Sequence, residues 1–349
     1  MTPTSTGPEP TQNAAMPAQR AAGREHTIDV FKGLLVVAMV LGHVLQFFTD
    51  FWRIPAAEAL IEVANVLAFP GFVFAFGYVV HLAYLDAWRP GTLRRVLWTA
   101  ARILIAFYIS GFAFRVFVSA RAPDLDTFLP ILGLFDIPGW SEFLVSFSLF
   151  VLLAALLRPA IAWLLERRLA FWLVFVALLA TTFVPYERVQ MPQLGLLIGT
   201  TEFPTFPVLQ YLPYFLVGMY FHRYRVWFAP TPFVGALIAT ATAIAYALSI
   251  DALPGRFPPT LAWIALPMGL LYVLLLFARA LPGRLAPVRW LGGIGANVLT
   301  YLLLSNLAIF ALSATSRGMR LDVVGALTLA ALLLAFIAFV IGLSRRAAR

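Results

Sequence analysis

The 349-residue chain contains no cysteine, which excludes disulfide bonds, thiolate metal sites and a catalytic thiol. Charge is also scarce, because 12% of the residues are Asp, Glu, Lys or Arg, whereas 62% are hydrophobic. Such a chain has too few polar side chains to cover the surface of a soluble globule. The composition therefore predicts an all-α polytopic membrane protein. Any acid–base or covalent chemistry falls to side chains other than cysteine.

Lysine is almost absent as well. Lys32 is the one lysine among 25 basic residues, which outnumber the 16 acidic residues and give a formal net charge of +9. Because the cytoplasmic loops of membrane proteins are rich in Arg and Lys, this excess needs no nucleic-acid partner to explain it. We expect membrane lipids, and not nucleic acid, around this protein.

Apolar windows predict about ten transmembrane helices around a central pore or cavity, since one crossing needs about 20 mostly apolar residues. The predicted spans are 28–50, 60–85, 95–118, 140–157, 170–186, 207–222, 232–251, 260–280, 290–313 and 322–343. With the N-terminus inside, the outer loops hold only Arg53, Arg121, Arg188, Arg256, Arg317 and Arg320. Most other arginines then lie on the inner side, so the bias predicts cytoplasmic termini and a multi-pass protein of the plasma or inner membrane.

The segments outside the spans differ in character. Residues 1–23 have the composition of a solvated, disordered cytoplasmic tail without a signal peptide, so we expect the first span to be retained. Residues 345–349 form a basic cytoplasmic end. The acidic, proline-bearing outer loops 119–139 and 186–206 either shape a substrate mouth or are plain solvated connections. Residues 158–169 predict a short amphipathic helix on the inner surface.

The first span carries an imidazole, His43, within its apolar run. Lys32 lies 11 residues earlier on nearly the same helix face, about 16 Å away. Titratable groups inside a membrane are costly and are therefore candidate functional residues. Alternatively, His43 ties helices together through a hydrogen bond. Lys32 is either an ion-pair partner of Asp29 or an anchor at the membrane edge.

Five segments carry a resemblance to a known family. In the first segment, IDVFKGLLVVAMVLGH, the landmarks are Asp29, Lys32, Gly33, Gly42 and His43. The other four are FPGFVFAFGY at 69–78, RILIAFY at 102–108, LPYFLVGMYFHRYR at 212–225 and LGGIGANVLTYLLLSN at 291–306. In this order the segments resemble the integral-membrane acyltransferase 3 family, and especially its fucose 4-O-acetylase-like branch.

The resemblance implies an enzyme that takes an acyl group, commonly acetyl from cytoplasmic acetyl-CoA, and passes it to a hydroxyl of a glycan, glycolipid or similar cell-envelope acceptor. Residues 24–344 would form the acyltransferase domain, and His43 would be the catalytic histidine. The chain departs from the family pattern at Ala68, Phe76 and Thr99, and it has Leu304, Ser305 and Asn306 where relatives often have a histidine. An inactive relative that scaffolds glycan assembly is therefore one alternative.

O-acyl transfer needs a base for the acceptor hydroxyl, and a neutral imidazole suits that task. His43 is the expected base, with Gln46 and Asp50 on the same helix face to orient the ring or the acceptor. Asp50 is alternatively a water-exposed helix end. The GGIG sequence at 292–295 is expected to permit close helix packing. No metal-binding motif is present, so no metal cofactor is expected.

Coenzyme A brings phosphates to the inner surface. Arg94, Arg95 and Arg102, together with Lys32, are the expected cations for these phosphates. The alternative for Arg94 and Arg95 is ordinary positive-inside topology, and Arg102 either snorkels inward or meets a ligand. A transporter or flippase of a lipid or sugar intermediate, with these groups along a translocation path, is the main rival function.

Overall fold

The computed structural model describes residues 25–316 and 318–347, and this part of the chain forms helices and contains no strand. The predicted tail at 1–23 and the last two residues of the predicted basic end lie outside it. The first seven helices are His26–Phe48 (α1), Pro55–Val80 (α2), Thr92–Ala113 (α3), Leu125–Leu132 (α4), Glu142–Leu156 (α5), Arg158–Glu166 (α6) and Arg168–Leu179 (α7). The remaining helices are Pro192–Ile198 (α8), Val208–Tyr224 (α9), Pro230–Ser249 (α10), Leu261–Ala265 (α11), Pro267–Ala280 (α12), Ala286–Gly295 (α13), Val298–Thr315 (α14) and Val323–Ala347 (α15).

Seven helical segments within the described residues are long and apolar enough to cross a membrane, which confirms the prediction of an all-α polytopic membrane protein. They are His26–Phe48, Pro55–Leu85, Thr92–Val118, Pro230–Ser249, Leu261–Ala280, Val298–Thr315 and Val323–Arg346. The other three predicted spans correspond to shorter helices: α5 has 15 residues, α7 has 12 and α9 has 17. The number of about ten spans therefore stays a prediction.

The chain bends by 77° between α5 and α6. Pro159 lies in the first turn of α6, where its missing N–H costs nothing, but it lacks the N–H that a helix continuing from α5 would need there. The short helix expected at 158–169 is thus present as α6, with Leu164 buried and Trp163 half exposed.

The predicted span at 290–313 is wrong as a single helix. The structure divides it into α13 and α14, because Asn297 leaves helical geometry, with φ −130° and ψ 32°. The Asn297 side chain donates to the Gly293 carbonyl at 2.7 Å, a local bond of the kind by which Asn competes with a continuous helix.

Close backbone contacts hold α1 in the interior. A Cβ on Gly33 would overlap the Leu291 carbonyl at the start of the GGIG segment, and one on Gly295 would overlap the Asp29 carbonyl. The expected role of GGIG in close packing is therefore confirmed at Gly295. Because α2, α14 and α15 also pack on α1, its side chains face protein on most sides. His43 is consequently held inside the bundle, near the C-terminal end of α1, which is the outer end in the predicted topology.

Candidate active site

A cavity of about 280 Å³ lies beside the outer half of α1. Its size is close to the lower end, about 300 Å³, of small-molecule sites. The walls are largely apolar and aromatic, and a few polar side chains enter it from three helices and one loop. These side chains are His43 and Gln46 on α1, Asn65 on α2, Glu142 at the start of α5, and Arg256 between α10 and α11.

The outer loops supply much of the wall. Gly139 and Trp140 come from the loop before α5, Pro204 and Phe206 from the loop before α9, and Phe257 from the loop after α10. Residues from both loops that were expected at a substrate mouth, 119–139 and 186–206, therefore lie in this wall. Their role as a mouth stays a prediction.

His43 contacts residues from two distant parts of the chain. The Trp140 ring packs edge-on against the imidazole, with the ring centroids 4.7 Å apart and the planes at 83°. The Asn306 side chain of α14 also approaches the imidazole closely enough to interact with it. Both His43 Nδ1 and Asn306 Oδ1 are buried, and neither has a hydrogen-bond partner among the described residues. Two neighbouring side chains thus each leave one polar atom unpaired.

The orientation of the Asn306 amide follows from its other partners. Its Nδ2 donates to the Trp140 carbonyl at 2.9 Å and to Ser110 Oγ at 3.2 Å, and Ser110 Oγ bonds Ser141 Oγ at 2.7 Å. Because a carbonyl can only accept, Nδ2 must face Trp140, and Oδ1 is left for His43. An imidazole that donates to this oxygen from Nδ1 would leave Nε2 as the unprotonated nitrogen.

Trp140 adopts a backbone conformation that is rare for a bulky residue. Its φ is +67°, in the left-handed region that usually favours glycine. Such strain persists only where the surroundings over-determine it, and it is frequent at functional sites. Here the side chain contacts His43 and the carbonyl accepts from Asn306, so one strained residue positions both.

Arg256 and Glu142 are charged groups in the same cavity that lack close partners. Arg256 lies over the Phe257 ring at 4.7 Å and the Phe206 ring at 5.2 Å, and its Nε is buried without an acceptor. Glu142 Oε2 is buried without a donor. Burial lowers the pKa of the Arg256 guanidinium, which is opposed by the nearby Tyr211, Glu142 and Glu62.

Of the residues predicted for the outer half of α1, the structure brings His43 and Gln46 into the cavity and leaves Asp50 outside it. Asp50 accepts from Arg320 Nε at 3.0 Å, and both side chains are more than a third exposed. This is the environment of a water-exposed helix end. The orienting role expected of Asp50 stays a prediction, and the ion pair gives that carboxylate another partner.

The predicted cofactor cations lie apart from this cavity. Lys32 Nζ pairs with Asp29 at 2.8 Å, in agreement with the ion-pair alternative. Arg95 donates to Thr92 Oγ1 at 3.1 Å, whereas Arg94 and Arg102 are exposed on α3. None of the four predicted cations is among the described residues that line the cavity, which extends toward the inner side as far as Met39. Their binding of coenzyme A stays a prediction.

Sequence reasoning missed the contributions of Trp140 and Arg256, and it predicted Glu142 and Asn306 only as residues that line a cavity or form hydrogen bonds between helices. The available signal for Asn306 was its place in the segment where relatives often carry a histidine. Trp140 and Arg256 carried no local signal, because each lies in a loop that meets α1 only through the tertiary fold.

Comparison with known proteins gives one match. No curated protein and no solved structure matches the chain. The family model described as an acyltransferase domain, that of acyltransferase family 3, matches residues 25–345 and thus nearly the whole described structure. The chain therefore belongs to acyltransferase family 3 and is a multi-pass membrane acyltransferase.

Proposed function

We propose that this protein transfers an acyl group, acetyl in the first instance, from cytoplasmic acyl-CoA to a hydroxyl of a glycan, glycolipid or similar cell-envelope acceptor in the plasma membrane. The observation that carries the proposal is the buried Asn306 amide beside His43. Both of its N–H groups are already donated, so its free Oδ1 is the atom that we propose accepts the Nδ1 proton of His43 and leaves Nε2 to act as a base.

The reaction then proceeds through one proton shuttle. Nε2 of His43 accepts the proton of the acceptor hydroxyl while the hydroxyl oxygen attacks the thioester carbonyl carbon. The tetrahedral intermediate collapses, the carbon–sulfur bond breaks, and the departing thiolate takes the proton back from His43. An ester and free coenzyme A result. The Nδ1–H bond to Asn306 stabilises the imidazolium between the two transfers.

Donor and acceptor approach from opposite ends in this proposal. The acceptor enters the cavity between the outer loops, and the donor's thioester comes from the inner side past Lys32, about 16 Å away along α1. Met39, one turn before His43, lies at the inner limit of the cavity and must move aside for the donor. Lys32, Arg94, Arg95 and Arg102 are proposed to bind the donor's phosphates at the inner surface.

The test is isotope transfer. Membranes that contain the protein are incubated with acetyl-CoA labelled in its acetyl group, and glycan and lipid fractions are counted before and after mild alkali. We expect alkali-labile label that control membranes without the protein lack, because an O-ester is hydrolysed and an amide is not. A transporter or flippase would leave these fractions without covalent label, and that result would contradict the proposal.

A further inference from the structure

Arg256 is a cation packed among aromatic rings, and none of the described residues accepts a hydrogen bond from it. Its guanidinium carbon lies 4.7 Å from the Phe257 ring centroid, 5.2 Å from that of Phe206 and 5.8 Å from that of Trp263. Aromatic faces attract a cation but accept no strong hydrogen bond. Within the described residues Arg256 forms no ion pair, and its Nε is fully buried. Buried charges are normally paired, so this guanidinium calls for acceptor atoms from a ligand.

Glu142 presents the complementary group to the same cavity. Its carboxyl lies at the N-terminus of α5, where burial opposes a negative charge and the nearby backbone amides of Glu142, Ser141 and Trp140 favour one. Oε2 nevertheless lacks a donor. Arg256 is near enough to influence this carboxyl electrostatically, yet the two side chains do not form an ion pair. The N–H donors of Arg256 and the carboxyl oxygen of Glu142 therefore face the same cavity without contacting each other.

One hydroxyl group of a ligand can bond to both residues, because it accepts one hydrogen bond and donates another. An anionic group would satisfy Arg256 but would face Glu142, with Glu62 also close to the guanidinium. The apolar faces of Phe206 and Phe257 fit the carbon skeleton of a ring, as in ligand sites that are mostly aromatic with a few polar groups.

We propose that Arg256 and Glu142 together bind one hydroxyl of the acceptor, while the neighbouring hydroxyl lies at His43 and receives the acyl group. This inference rests on the proposed function and deepens it, because it names the acceptor class. The acceptor is an uncharged sugar ring or similar polyol with adjacent hydroxyls, and a lipid alcohol with a single hydroxyl would lack the second contact. Arg256 and Glu142 are thus specificity-determining residues.

The first experiment measures binding without acyl transfer. The purified protein in lipid nanodiscs is heated with a glycolipid extract from membranes of the producing cells, and with the same extract after periodate, which cleaves the bond between adjacent hydroxyls. We expect the intact extract to raise the melting temperature and the cleaved extract to leave it unchanged. Equal stabilisation by both extracts, or stabilisation by neither, would overturn the proposal.

The second experiment compares variants in binding and in transfer. Arg256→Gln and Glu142→Gln are each expected to raise the KM for the acceptor by about 10- to 100-fold, the ratio for one hydrogen bond to a charged group, with the KM for acetyl-CoA unchanged. Arg284→Gln and Glu166→Gln, at two exposed positions that do not line the cavity, are the matched controls. The controls should stay within twofold of the wild type.

The glutamate variant separates this proposal from recognition of an anion. If Glu142→Gln keeps or lowers the KM while Arg256→Gln raises it, the acceptor is anionic and the proposal is overturned, as it is when neither variant has an effect. Should either variant fail to fold, Arg256→Lys and Glu142→Asp retain the charge and should show the same loss in weaker form. If the intact extract shifts the melting temperature but no acetyl transfer is detected, the proposed binding site stands and only the proposed function is overturned.

Discussion

Polar side chains near the two ends of α1 differ in whether they have hydrogen-bond or ion-pair partners in the protein. Toward the inner end, Lys32 is paired with Asp29 at 2.8 Å, and His81 on the continuation of α2 shares a 2.8 Å contact between Nδ1 atoms with His222 on α9. These groups have protein partners. A polar residue that is satisfied in this way ties helices together whether or not a ligand is bound.

Toward the outer end, buried polar atoms around one cavity lack partners. Among the described residues, His43 Nδ1 has no hydrogen-bond partner, Glu142 Oε2 has no donor, and Arg256 Nε has no acceptor. Leaving a buried polar group unsatisfied costs about 1 to 3 kcal/mol each. A bound molecule that supplied partners at these three neighbouring residues would recover this cost. The comparison supports the proposal of chemistry at the outer half of α1 and donor binding at the inner half.

Of the variants that test this comparison at its two ends, Asn306→Leu is expected to have the largest effect. The change removes the oxygen that fixes the Nδ1 proton of His43, so the imidazole can rotate or adopt the wrong tautomer. We expect kcat for acetyl transfer to fall about 100-fold, the scale for misplacing a catalytic group, with the KM for acetyl-CoA unchanged. The measurement is the initial rate of the purified protein in nanodiscs.

The control for that variant is Ser305→Ala on the same helix. Ser305 is also buried, but its hydroxyl bonds only the Leu302 carbonyl of its own helix at 3.2 Å. The control should retain the wild-type rate within twofold. Equal losses in both variants would mean that α14 tolerates no change at this point, and the positioning role of Asn306 would be withdrawn.

A smaller effect is expected at the inner end, from Lys32→Gln. Removal of one cation from the proposed donor site should raise the KM for acetyl-CoA about fivefold to tenfold and leave kcat within twofold, because a charge-assisted contact to phosphate is lost while His43 is untouched. Arg320→Gln, an exposed outer cation, is the control. A fall in kcat as large as that of Asn306→Leu would contradict the assignment of donor binding to the inner end and of catalysis to the outer end.

Hydropathy predicted the membrane class and the helices because apolar composition is a local property of the sequence. The first span, with His43 facing the interior, can be recognised from the sequence of that one helix. The break at Asn297 was missed, since a window that averages apolar residues does not register a side chain that bonds to the backbone.

The remainder of the site depends on long-range packing. Asn306 is more than 250 positions from His43 in the sequence, and Arg256 more than 100 from Glu142, yet one cavity wall and one hydrogen-bond network unite them. No periodicity indicates such proximity. The loop position of Arg256 predicted a solvated charge, whereas aromatic rings from two other segments enclose it. Burial of a loop residue is decided by the tertiary fold and not by its own sequence.

The most direct test of the central claim replaces His43 itself. The purified His43→Ala variant in nanodiscs is compared with wild type and with His26→Ala, which removes an exposed imidazole from the inner end of the same helix. With melting temperatures matched, we expect acetyl transfer to fall by about 100-fold or more in His43→Ala, the contribution typical of a general base, and to stay within twofold in His26→Ala. A His43→Ala protein that still transfers acetyl at the wild-type rate would contradict the account.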